Sequence, residues 1–343
     1  MFKNKLTFKI ETFLGIGGVV LLAWMIHKIG LPLLIENLKN FGVVPMVFLI
    51  LFYTLAQIFF CLAWFVILKN INTKVGFWET FLVYAAGDAL NMTVPSGNLA
   101  GEPVKVMLFK DKIPSTQSIS SVTIYKFADF ISLTLFLLAG WLFHFFFYSL
   151  PLSWNIAAGV MIFGMTLVSL LLFVLQKKGF YLPTGKWLSK ITLLESWIVG
   201  KLESAHLIDQ DIRNFYLDHP VKFFQSILFN FLAWFGGVIE IMLFMKFLGL
   251  ETSFQAAFTI ETFSLFINNL AFFVPARLGV GEGGRVLLFI TLGYPASSGM
   301  SYGIIRRIRE TVWVGFGLGV LLIRKRKLKP DHSPTNDLNR ISE

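Results

Sequence analysis

Long uninterrupted apolar runs leave this chain few folding options. Runs near residues 10–30, 43–68, 118–148, 156–175, 221–249 and 298–323 are each long enough, at about 1.5 Å per helical residue, to cross a hydrocarbon core roughly 30 Å thick. Inside lipid every backbone N–H and C=O must be satisfied within the segment, so such runs fold as helices. With 55% hydrophobic and 15% charged residues, the chain cannot cover a water-facing surface, and its 38 Phe exceed what a globular core needs. The expected fold is all-α and integral to the membrane. It forms one membrane domain over 1–328 with about six transmembrane helices.

The net charge of +10 does not point to nucleic acid, because Lys and Arg gather at the ends of apolar runs instead of forming one basic face. Under the positive-inside rule the start (Lys3, Lys5, Lys9), the segments 69–76, 105–112 and 176–222, and the Arg324-Lys325-Arg326-Lys327 cluster are cytoplasmic. Segments 31–42, 149–155 and 250–253, whose one base is Lys39, lie outside. Both termini are then cytoplasmic, and with no small-residue cleavage site after it, the first span is retained. Cys61 is the only cysteine and the five His lack ligand spacing. No disulfide framework, metal site or cofactor is expected. Within 180–219, Leu188, Ile191, Leu194, Ile198, Leu202 and Ala205 follow helical spacing. They suit an interfacial helix, and equally a linker between two halves. The polar tail, 329–343, is expected to be disordered.

Two apolar segments, near 77–94 and 254–274, run into Pro/Gly-rich breaks and are followed only by the short arms Val104–Phe109 and Val286–Leu292. An arm of six or seven residues covers roughly 10 Å and cannot span. Each segment therefore reads as a re-entrant helical hairpin, turning at Pro95, Gly97 and Gly101 in the first and at Pro275, Gly279 and Gly281 in the second. At an offset of 180, Pro95–Phe109 and Pro275–Phe289 share six identities in fifteen positions, against about one by chance. One residue further on, Pro114 meets Pro295, Lys126 meets Arg307 and Asp129 meets Glu310. The chain thus divides into repeat 1, about 43–148, and repeat 2, about 221–323. The charge rule orients them oppositely, as an inverted repeat, an arrangement that puts a substrate site near the bilayer midplane.

Ionisable groups at mid-depth cost about 2.5–3.5 kcal/mol each and mark that site. The substrate-binding candidates are Glu102, Lys105, Lys126, Asp129, Arg277, Glu282, Arg285, Arg306, Arg307, Arg309 and Glu310, with Asp88, Glu240 and Glu261 as further mid-span charges. Lys126/Asp129 and Arg306/Glu310 are spaced as helical ion pairs. Three arginines beside one glutamate leave a guanidinium surplus suited to phosphate. Free amides at the hairpin tips form an anion site, with Lys105 or Arg285 one turn in. Glu102 and Glu282 either meet a headgroup amine, carry a proton or cap the short arm. Gly283-Gly284 permits a tight turn, and Gly315/Gly319 form a GxxxG helix-packing motif.

The strings P-S-G-N-L-A-G-E-P-V-K over Pro95–Lys105 and P-A-R-L-G-V-G-E-G over Pro275–Gly283 resemble the paired signatures of the flippase-like family. That family includes the transmembrane region of lysylphosphatidylglycerol synthases, the multiple peptide resistance factor. The resemblance covers roughly 10–325. It implies a multi-pass protein of a bacterial or archaeal plasma membrane, and a lipid translocase of flippase or scramblase type rather than an enzyme. The lipid partners it implies are phospholipid, aminoacylated, polyprenyl-linked or hopanoid lipids. The chain departs from the pattern at Ala276-Arg277, Gly281 and Lys126. A non-catalytic partner of a lipid-modifying enzyme, a lipid-modifying transferase and homo-oligomerisation all stay open.

Overall fold

The computed structural model describes residues 31–72, 74–94, 98–147, 152–190, 200–271 and 277–328, with single positions 27 and 274. The run 10–30 apart from position 27, the turn residues Pro95, Gly97 and Pro275, and the tail 329–343 lie outside the described residues. Among the described residues there are twelve helices and no strand. They are α1 (Leu31–Phe41), α2 (Val43–Ile71), α3 (Phe77–Thr93), α4 (Glu102–Phe109), α5 (Ser115–Phe147), α6 (Leu152–Lys178), α7 (Tyr181–Leu188), α8 (Leu202–Asp218), α9 (Pro220–Phe247), α10 (Phe254–Leu270), α11 (Val280–Thr291) and α12 (Ala296–Leu328).

Helices α2, α5, α6 and α9 are long and apolar enough to cross a membrane. With 33 residues, α12 has the length but carries Arg306, Arg307, Arg309 and Glu310 together near its middle. The outward face of α6 is a stripe of exposed Ile156, Val160, Phe163, Leu167, Leu171 and Val174. Such a stripe is untenable in water and at home in hydrocarbon. The chain is an all-helical, multi-pass membrane protein.

Two connecting segments differ from expectation. Residues 31–41 form α1, and 180–219 folds as two helices, α7 and α8, with 191–199 outside the described residues. The inward face of α8 is Ile208, Ile212 and Phe215, several residues beyond the expected Leu202 and Ala205. Asp209 sits on that face and breaks the apolar pattern. It is held because its carboxylate accepts the N–H groups of Phe180, Tyr181 and Leu182 at 2.8, 2.9 and 2.8 Å, which caps the start of α7.

The short arm α4 folds back on α3, and α11 on α10. Gly101 makes the first closure: a Cβ there would stand 1.8 Å from the Gly87 carbonyl oxygen. In the second hairpin Gly281 and Gly284 lie inside α11, not in a turn, and a Cβ at Gly284 would meet Ile267 Cδ1 at 2.7 Å. The long arm of each hairpin packs on the closing helix of the other half, α3 on α12 and α10 on α5, while α2 packs on α9. At these crossings Gly317 presses on the Ala85 carbonyl and Gly140 on Thr262. The expected GxxxG contact is not the one used: among the described residues, nothing lies within 4 Å of a Cβ at Gly315 or Gly319.

Candidate functional site

Where the two halves meet, a cavity of about 180 Å³ is walled by both of them. The first half contributes Gln57 from α2, Tyr84 and Asp88 from α3, and Lys126 and Asp129 from α5. The second contributes Glu240 from α9, Glu261 and Asn268 from α10, and Arg306, Arg309 and Glu310 from α12. The two hairpin breaks touch here. Arg277 donates through Nη2 to Asn98 Oδ1 at 3.1 Å, and both residues hold left-handed backbone, with φ of 54° and 64°, a region that side-chain-bearing residues seldom adopt.

In the first half, Glu102 is the hub. Its Oε1 accepts from Asn91 Nδ2 at 2.9 Å and from the ammonium groups of Lys105 and Lys126, each at 3.1 Å. Asn91 also accepts the Gly101 N–H at 2.7 Å, which ties the tip of the short arm to the long one. Lys105 is fully buried, and its ammonium stands 5.3, 4.9 and 5.2 Å from the ring centres of Trp64, Tyr84 and Tyr125. Three ring faces and one carboxylate replace the water that a lysine loses on burial.

In the second half, Glu282 occupies the matching place. Its Oε1 accepts from Arg307 at 2.6 and 3.1 Å, and its Oε2 accepts the Gly279 N–H at 2.8 Å, so here the glutamate does cap the short arm. Arg306 forks onto Glu261 at 2.8 and 3.3 Å, the bidentate geometry suited to guanidinium. Arg309 pairs with Glu240 and lies 3.7 Å over the Tyr53 ring. Glu310 sits among all three arginines at 3.4–3.8 Å.

Several expectations are corrected by this geometry. Lys126 pairs with Glu102 and not with Asp129. Arg306 pairs first with Glu261, and its contact with Glu310 is the longer one at 3.5 Å. The arginine surplus is absorbed, because Glu240 and Glu261 arrive from other helices, which spacing along α12 could not reveal. The tip amides of Gly101 and Gly279 are taken by the chain's own side chains instead of standing free for an anion. Lys126, Asp129, Arg277, Arg306, Arg309 and Glu310 line the cavity; Lys105, Glu282, Arg285 and Arg307 do not, and Glu102 borders an adjacent groove. Asp88 accepts the Trp313 indole N–H at 2.9 Å. Among the described residues neither Asp88 nor Asp129 forms an ion pair.

Sequence reading missed the neutral wall: Tyr53, Gln57, Tyr84, Trp234, Asn268 and Asn269. Gln57, alone among apolar neighbours, and the Asn268-Asn269 pair just before a break were the available signals. Among the described residues, no three His, Cys, Asp or Glu side chains converge as a metal cradle.

A helical membrane scaffold closed around charged groups from both halves defines the class, a polytopic membrane protein with a polar interior. Residues 11–319 match the model of the lysylphosphatidylglycerol synthase TM region, and the chain belongs to that family. No curated protein matches it, and no solved structure does.

Proposed function

We propose that the protein moves a lipid with a polar or charged headgroup between the leaflets of the plasma membrane. One observation carries this reading: four bases (Lys126, Arg277, Arg306, Arg309) and five acids (Asp88, Asp129, Glu240, Glu261, Glu310) share the wall of one small cavity inside a helical bundle with apolar outer surfaces. Dragging a headgroup through hydrocarbon is costly because its hydrogen bonds to water go unreplaced; a wall of fixed charges and amides replaces them. The Asp88 and Asp129 carboxylates suit a cationic group, and Arg277, held by the neutral Asn98 amide instead of a carboxylate, suits a phosphate.

The inverted repeat is part of the same proposal. Equivalent glutamates, Glu102 and Glu282, pair with equivalent bases, Lys126 and Arg307, and the cross-packing of α3 with α12 matches that of α10 with α5. Two re-entrant hairpins entering from opposite faces account for both. With no ATP-binding motif in the sequence, transport runs down a lipid or ion gradient.

The test uses proteoliposomes carrying a fluorescent phospholipid. Wild-type protein should speed loss of inner-leaflet protection, and Arg306→Ala should slow it at least tenfold. Wild-type rates equal to those of empty vesicles would sink the reading. In a Cys61→Ser background, single cysteines replacing exposed Lys110 and Thr252 should label from opposite faces; labelling from one face would end the inverted arrangement.

A further inference from the structure

Two registers relate the halves, 180 between α4 and α11 and 181 between α5 and α12. Under them Val106 matches Val286, Ile119 matches Met300, and Thr123 matches Ile304. In the first half, all three members line a groove of about 820 Å³ between α4, α5 and α6, within the range of about 300–1,000 Å³ typical of small-molecule sites. Its walls are chiefly aliphatic and aromatic, including Val122, Phe130 and Leu172. Its inner end is different: Asn98, Lys126, Asp129 and Asn269 line both this groove and the central cavity. The groove therefore leads from an apolar flank to the charged centre.

In the second half, the same three positions are covered. Val286 and Met300, with Ile304 beside them, pack around Leu34 of α1, which is 1% exposed. Asn37 Nδ2 donates to Ser301 Oγ at 3.4 Å and fixes α1 on α12. These positions are covered by a branched aliphatic side chain from the protein itself, whereas their first-half equivalents are bare among the described residues. The covered set indicates what chemistry fits: an aliphatic side chain, here presented by a helix, seats between Val286 and Met300.

We propose that the first-half groove binds an acyl chain of a membrane lipid, with the headgroup at Lys126 and Asp129, and that α1 plugs the equivalent groove of the second half. This rests on the lipid-translocation reading and adds to it a loading side and a gate. Gln176 and Tyr181, on either side of the junction of α6 and α7, are polar members of the groove wall, and lipid would enter beside that junction. The opposite entrance opens when Leu34 leaves its seat.

The experiment uses full-length protein in phosphatidylcholine vesicles containing a small fraction of phosphatidylcholine with a diazirine in mid-acyl chain, followed by irradiation and peptide mass spectrometry. Labelling is expected on the α4–α5 peptides bearing Val106 and Ile119 at least fivefold above the outer face of α6. Val106→Trp, or the milder Ile119→Phe, should remove that excess without changing α6 labelling. The Val286 and Met300 peptides should label strongly only in Leu34→Ala. Even labelling over all helices, or equal labelling of both grooves in wild type, overturns the proposal. A disulfide between Asn37→Cys and Ser301→Cys, in Cys61→Ser, should slow translocation at least tenfold until reduced; an unchanged rate overturns the plug. Groove labelling in vesicles without translocation would sink the transport reading while leaving the site intact; translocation without groove labelling would do the reverse.

Discussion

The two halves neutralise their charge differently. In the first, two lysines share a single carboxylate, Glu102, and one of them is wrapped in aromatic rings. In the second, three arginines meet Glu240, Glu261, Glu282 and Glu310 in a connected network. Guanidinium forks hold carboxylates at fixed angles, whereas an ammonium on a flexible stem turns among partners. The second half is thus a braced wall, whereas in the first the more mobile ammonium of Lys126 borders both cavity and groove.

The hairpin closures break this comparison most sharply. A methyl at Gly101 would collide with rigid backbone, whereas at Gly281 it would stand 3.2 Å from the Asn268 side chain. Gly101→Ala should cost about 3 kcal/mol or more, the upper end for overpacking, and Gly281→Ala under about 1 kcal/mol. Thermal unfolding in detergent would read both, and equal losses would show the closures to be alike. Next in size is the braced wall: Glu240→Gln strips Arg309 of its partner and should cost about 3 kcal/mol, while Glu240→Leu with Arg309→Met should recover most of that loss. A double variant no better than the single would mean that the pair does more than neutralise charge.

Smaller still is the difference between equivalent bases. Lys126→Gln should slow translocation about tenfold, equivalent to about 1.4 kcal/mol. Arg307→Gln, off the cavity wall, should stay within about threefold and show itself in lower melting temperature instead. Rates for the two in proteoliposomes that fall together would remove the functional distinction between halves. Smallest, Gly315→Ala should be neutral or stabilise by up to about 1 kcal/mol through helix propensity, while Gly317→Ala is poorly tolerated; the reverse order would restore the GxxxG packing.

Much of the fold was legible because membrane helices announce themselves by length and apolarity, and because the broken segments are too short to be spans. Each hub pairs a short-arm glutamate with a base on the long helix after it, Glu102 with Lys126 and Glu282 with Arg307. Pairing was less legible. Sequence spacing sees only neighbours on one helix, so Lys126 was matched to Asp129 and Arg306 to Glu310, whereas the partners that count come from α4 and α10. The cage of Trp64, Tyr84 and Tyr125 around Lys105 joins three helices, and aromatic residues abundant in every span gave no hint of which would converge. Residue α1 positions such as Leu34 were hidden for another reason: a short polar-flanked stretch reads as a connection until a partner groove is known.

The contact between Arg277 and Asn98 is a small polar link between the two hairpin breaks, set within extensive helix packing of the two halves. A single hydrogen bond from a charged donor contributes about 1.5–3 kcal/mol. A latch that weak leaves the separated arrangement populated at about one to several per cent. Thermal motion alone would then part the two side chains and leave the Arg277 guanidinium turned to the cavity that it lines.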